Sequence, residues 1–204
     1  MTAPTGPGQE LSAEQPAAVT VELADADATR GYGRALAGVL RAGDLVVLTG
    51  DLGAGKTTLT QGIGAGLGVR GQVASPTFII ARVHPPLPQT ASTSEAPDGS
   101  SQPAGQPGPA LVHVDAYRLG SLDEVEALDL DTSLEDSVTV VEWGEGLVES
   151  LAADRLEISI HRPRGGTTVE ADGADEPDED PAGGIRTVTV RAVGPRWAGI
   201  QLPS

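Results

Sequence analysis

Residues 44–68, "DLVVLTGDLGAGKTTLTQGIGAGLG", constrain the fold more than any other part of the chain. The stretch at 44–49 is short and nearly all apolar, the pattern of a strand covered on both faces. Glycines at 50, 53 and 55 then mark a turn whose backbone angles other residues resist. A helix is expected from about Lys56 to Leu67, closed by Gly68. Lys56 is the only lysine in the chain, and the other twelve basic residues are arginine.

Gly50, four further residues, Gly55, Lys56 and Thr57 match G-x-x-x-x-G-K-[ST], the P-loop pattern. The context agrees, with a buried strand before and a helix after. The glycines let the amides of Asp51, Leu52, Gly53, Ala54, Gly55, Lys56, Thr57 and Thr58 turn toward phosphate oxygens at a helix N-terminus. Lys56 offers a compact ammonium to the β- and γ-phosphates, and Thr57 a hydroxyl to Mg2+. Lysine acts on phosphate as a flexible point charge, whereas arginine is a rigid fork. That difference is a reason to keep one lysine here.

The rest of the chain alternates strands with helices. "AVTVEL" (18–23) reads as a first strand. A helix is expected over about 27–40, because Tyr32, Leu36, Val39 and Leu40 fall on one face, with Gly43 ending it. Strands follow at 77–83, 110–116 and 137–143, a capping box at Ser121–Glu124 opens a helix, and "GEGLVESLA" (144–152) suggests a short one. "RLEISIH" (155–161) and "IRTVTVRAV" (185–193) alternate apolar and polar residues, as in a half-exposed hairpin. The expectation is an α/β fold: a mixed, mostly parallel sheet flanked by helices, with a C-terminal antiparallel hairpin. The tail at 1–17, the Pro/Ser-rich stretch at 84–109 and the acidic one at about 168–184 are expected to be disordered, because they cannot bury enough apolar surface to offset the entropy of ordering. A single domain spanning 18–204 remains.

Composition bounds the chemistry. The formal net charge is −16, and seven of the eleven residues at 170–180 are acidic. Such a surface repels a phosphate backbone, so direct nucleic-acid binding is disfavoured. There is no cysteine, which excludes disulfides and thiolate metal sites. The N-terminus lacks the pattern of a secretory signal, and no stretch approaches the roughly 20 apolar residues of a membrane helix. A cytoplasmic protein without membrane contact is expected.

A P-loop needs a second carboxylate for Mg2+ and a group that aims the attacking water. Asp115 ends the strand "ALVHVD", where a Walker B acid belongs; the alternative is an ordinary loop aspartate. Glu142 ends "SVTVVE" and suits Mg2+ or catalysis, or else an ion pair with Arg118. Thr77, in "SPTF", is placed to sense a γ-phosphate, or to cap a turn. Trp143 either stacks on a base or packs in the core. Arg186 either reaches the nucleotide or is an exposed hairpin arginine, and His113 reads as structural. The Asn-Lys-x-Asp signature of guanine binding cannot occur, since the chain has no asparagine and no second lysine. ATP is therefore favoured over GTP.

Taken in order, "GDLGAGKTT", "SPTF", "HVDAYRL" and "VVEW" resemble the TsaE (YjeE) family, the ATPase component of bacterial tRNA threonylcarbamoyladenosine biosynthesis. The resemblance runs from about Val19 to Val193. It implies a P-loop NTPase fold, weak ATPase activity alone, and action with a TsaB–TsaD complex, so that tRNA is reached only through the partner. It also implies ATP and Mg2+ as cofactors, Lys56 and Thr57 as phosphate and Mg2+ residues, and Asp115 as Walker B acid. Glu142 becomes the Mg2+-linked catalytic acid and Trp143 a neighbour of the nucleotide. Gly144 stands where the family commonly has proline, and Asp129 where it often has glycine. A small-molecule kinase shares the P-loop, but no arginine lies between His84 and Ala110 to form a phosphate lid. A nucleotide-gated binding module is the non-enzymatic alternative.

Overall fold

A computed structural model describes residues 18–76, 80–88, 108–126, 134–163 and 184–204. The expectations for the tail, for Thr77, for Asp129 and for most of the two long insertions fall outside these residues. Seven strands form one sheet in the order β1-β7-β6-β2-β5-β4-β3. These are β1 (Ala18–Leu23), β2 (Leu45–Thr49), β3 (Ala81–His84), β4 (Ala110–Asp115), β5 (Ser137–Glu142), β6 (Arg155–His161) and β7 (Arg186–Val193). The four central strands β6, β2, β5 and β4 are mutually parallel. β7 runs antiparallel between β1 and β6, and β3 antiparallel along β4.

β2 is buried on both faces, as its apolar run requires. Val46 and Leu48 point to one layer of core, Leu45 and Val47 to the other. The first layer lies under α1 (Ala26–Ala37) and α2 (Lys56–Leu67). Val112, Val114, Val141 and Val148 belong to the second. α1 starts on Asp25, whose side chain accepts a hydrogen bond from the amide of Ala28 at 2.7 Å. It stops at Gly38, not at Gly43, and residues 38–39 continue as a turn. Gly43 lies later, at φ +92 in the turn into β2.

Of the strand expected over 77–83, residues 77–79 lie outside the described residues, Ile80 has φ +60 and precedes the strand, and β3 runs from Ala81 to His84. Pro85–Leu87, expected to be disordered, are tied to the end of α2 through Arg70 N–H to Pro85 O (2.7 Å) and Leu87 N–H to Gly68 O (2.8 Å). The helix expected over 144–152 is only a 3-10 turn at Glu149–Leu151. Gly144 and Gly146 disfavour a helical nucleus there, and the segment is too short to recover the cost of nucleation. The hairpin is part of the sheet interior: β6 pairs with β2 as well as β7, so Leu156, Ile158 and Ile160 are core residues.

α1 and α2 approach closely because glycine lines their contact. A Cβ on Gly33 would lie 2.5 Å from the carbonyl oxygen of Leu59, and one on Gly62 would lie 2.3 Å from that of Arg30. Backbone cannot yield as a flexible side chain can. Gly62→Val should therefore lower stability by about 1–3 kcal/mol, read as a lower urea midpoint with an unchanged slope; an unchanged midpoint would mean that the helices do not meet this way.

The C-terminal segment seals the same layer. The Tyr32 hydroxyl donates to Pro203 O at 3.0 Å, and Leu202 is buried. Burial pushes the Tyr32 phenol up to about 12. The unfolded phenol ionises near its ordinary value of about 10. The folded state thus holds its proton longer, and this share of stability is present below pH ~10 and lost as pH rises through ~12. Urea midpoints should fall between pH 9 and 11.5, and less steeply in Tyr32→Phe. No helix among the described residues is long and apolar enough to cross a membrane.

Candidate active site

The C-terminal ends of β2, β4 and β5 meet the N-terminus of α2 around a cavity of about 860 Å3. Of the residues expected in the site, Leu52, Gly53, Gly55, Lys56, Thr57, Thr58, Asp115, Glu142, Trp143 and Arg186 line it. Asp51 and Ala54 do not. Ala54 is turned into the core, and its amide donates to Asp51 O at 3.1 Å, inside the loop. The cavity wall also contains Ala26 and Arg30 of α1, Ser75 and Tyr117, which were not expected.

The loop glycines have φ of +139 at Gly50, +79 at Gly53 and +116 at Gly55, all in the region that favours glycine. A Cβ on Gly50 would also strike Ile160 O at 2.3 Å. The loop therefore depends on glycine there for space as well as conformation. Gly53 has nothing within 4 Å of its absent Cβ, so this side of the cradle is open.

Lys56 is 5% exposed. Its ammonium donates to Gly50 O at 2.7 Å and to Asp51 O at 2.9 Å, and sits 3.8 Å above the Trp143 ring centre. Burial lowers its pKa, against the opposing pull of Glu142, Asp115 and Asp51. Trp143 holds φ +62, a strained value for a bulky residue. Its amide is fixed to Leu48 O at 3.0 Å, and a Cβ on the following Gly144 would come within 2.8 Å of Val141 and Val148. Tyr117 packs against the Trp143 ring edge-on at 5.4 Å. Trp143 is thus a half-buried wall of the cavity, and its strain sits at the point where β5 hands over to the site.

Glu142 is 3% exposed and accepts two hydrogen bonds on Oε1, from the Thr57 hydroxyl at 2.9 Å and from His113 Nε2 at 2.8 Å. Asp115 stands beside Glu142 in the parallel register. Its Oδ1 accepts from the Tyr117 amide at 3.1 Å, so it caps the turn at Ala116–Arg118 while lining the cavity. Arg186 is 2% exposed and packs behind Gly55, so it is no exposed hairpin arginine. His113, read as structural, touches the central carboxylate. Strand alternation places it on the same face as Asp115, which was the available signal.

The residues fit a nucleotide triphosphate with a divalent cation. Among the described residues, no group of three or more histidine or acidic side chains could hold a metal unaided. One hydroxyl and two carboxylates suit Mg2+, which is bound by few protein groups with phosphate oxygens and water completing the shell.

A model of the family described as "Threonylcarbamoyl adenosine biosynthesis protein TsaE" matches residues 23–168. The chain belongs to the TsaE family. It is 56% identical over 170 residues to the tRNA threonylcarbamoyladenosine biosynthesis protein TsaE of Streptomyces coelicolor, covering 83% of this chain and 93% of that one. The Bacillus subtilis protein of the same name is 35% identical over 170 residues, covering 83% and 82%. The crystal structure of Bacillus subtilis YdiB aligns with a TM-score of 0.57 at 27% identity, over 91% of this chain and 93% of that one. The fold is accordingly the α/β P-loop NTPase fold that the family shares.

Proposed function

We propose that this chain is an Mg2+-dependent ATPase that hydrolyses ATP to ADP and phosphate, weakly alone and faster with a TsaB–TsaD-type complex. Family membership places it in tRNA threonylcarbamoyladenosine biosynthesis. The observation that carries the chemistry is the hydrogen bond from Thr57 to Glu142. It brings the P-loop hydroxyl and a buried carboxylate to one point of a cavity that also holds the loop lysine.

The amides of Gly53 and Gly55 and of the first turn of α2 hold the phosphates, together with the Lys56 ammonium. Arg186 and Trp143 face the nucleotide from the walls, and Thr77 is the residue proposed to sense the γ-phosphate. Thr57, Asp115 and Glu142 are the groups that would hold Mg2+. Bound there, the cation would offset charge on the phosphoryl oxygens. Glu142 orients the attacking water and accepts its proton. The acidic surface leaves tRNA to the partner complex, and the work is cytoplasmic.

Phosphate release from ATP should exceed that from GTP and should stop when EDTA removes the cation. Equal GTP turnover would sink the adenine assignment, and a rate that persists in EDTA would sink the metal.

A further inference from the structure

We infer that His113 is a positioning residue: through Nε2–H it fixes the Glu142 carboxylate in the orientation that the reaction requires. The inference rests on the role proposed for Glu142 and adds a residue to it.

His113 is 0% exposed, in the middle of β4. In the parallel register it stands opposite Val140, so Glu142 is its diagonal neighbour on the same face. The bond between them is 2.8 Å long and ends on Oε1, the oxygen that also accepts from Thr57. A carboxylate only accepts, so the proton must lie on Nε2. Two donors converging on one oxygen remove the freedom of the carboxyl group to rotate. That leaves Thr57, Glu142 and the start of α2 locked to the sheet.

The other ring nitrogen argues that packing is not the reason for a histidine. His113 Nδ1 is buried and has no hydrogen-bond partner among the described residues. A buried unsatisfied ring atom lowers stability. An apolar side chain of similar size would avoid that cost beside Val140, which stands opposite it and belongs to the first core layer. What an apolar side chain cannot do is donate to Glu142. Groups that orient an active-site carboxylate in this way affect activity by about 10- to 100-fold when removed.

The test uses the full chain, with ATP turnover measured in the presence of its partner complex. His113→Leu should lower kcat by about 10- to 100-fold while KM for ATP and the affinity for ADP without metal stay unchanged. His113→Gln, which returns a side-chain N–H, should recover most of the rate. In a Glu142→Gln background, His113→Leu should cost nothing further. A separate reading needs no turnover: long-range 1H–15N correlation on the nucleotide-free protein should show a proton on His113 Nε2, the signal assigned by its loss in His113→Gln. Normal kcat in His113→Leu, failure of His113→Gln to recover any rate, or a bare Nε2 would each overturn the inference. Should His113→Leu not fold, the Nε2 signal and the His113→Gln rate still decide it. Full turnover in Glu142→Gln would instead bring down the proposed role of Glu142 itself; an inactive Glu142→Gln beside a fully active His113→Leu brings down only the role of His113.

Discussion

Lys56→Arg should lose ATP hydrolysis nearly as completely as Lys56→Ala, by about 100-fold or more, the scale of removing one preorganised charge from a transition state. Conservation of charge is not enough at this position. The ammonium fits between two loop carbonyls, 2.7 Å and 2.9 Å away, with the Trp143 face 3.8 Å below. A planar guanidinium is broader and donates in a fixed fork. It would have to displace the loop or turn away from the phosphates. Steady-state phosphate release, with ATP affinity measured in parallel, separates lost binding from lost chemistry. Near-normal turnover in Lys56→Arg would show that charge alone suffices and that the single lysine carries no message.

Glu142→Gln should retain ATP binding and lose about 100-fold or more of partner-stimulated hydrolysis. Glutamine keeps the shape and one acceptor oxygen, so the hydrogen bonds from Thr57 and His113 can survive. What it loses is the negative charge and the ability to take a proton. The carboxylate is 3% exposed beside a buried lysine, where charge interactions are only weakly screened. ATP affinity by calorimetry and single-turnover hydrolysis should therefore diverge in this variant. Retained stimulated turnover would remove Glu142 from the chemistry.

Much of this site is legible in the chain because its parts are local. The buried run, the glycines at 50, 53 and 55 and the helix after them are consecutive, so strand, loop and helix appear in one reading. The carboxylates at 115 and 142 show because each ends an apolar strand. Contacts across the sheet leave no local mark. His113 and Glu142 are separated by 29 positions, and only the parallel register of β4 on β5 makes them diagonal neighbours. Arg186 looks like a strand-end arginine, yet it is buried behind Gly55 because β7 is inserted between β1 and β6. The same insertion turns the expected half-exposed hairpin into sheet interior. Residues 144–152 mislead differently: their apolar spacing suits a helix, but two glycines and a strained Trp143 just before them end regular structure. The close approach of α1 and α2 is likewise invisible until Gly33 is seen against Leu59 and Gly62 against Arg30.

The most direct test of the central claim is ATP hydrolysis by this chain with and without its cognate TsaB–TsaD complex, at fixed Mg2+. Slow hydrolysis alone, a marked rise when the complex is added, and no rise with Lys56→Arg or Glu142→Gln are the expected results. Hydrolysis that the complex leaves unchanged, or phosphate delivered to an acceptor other than water, would contradict the claim.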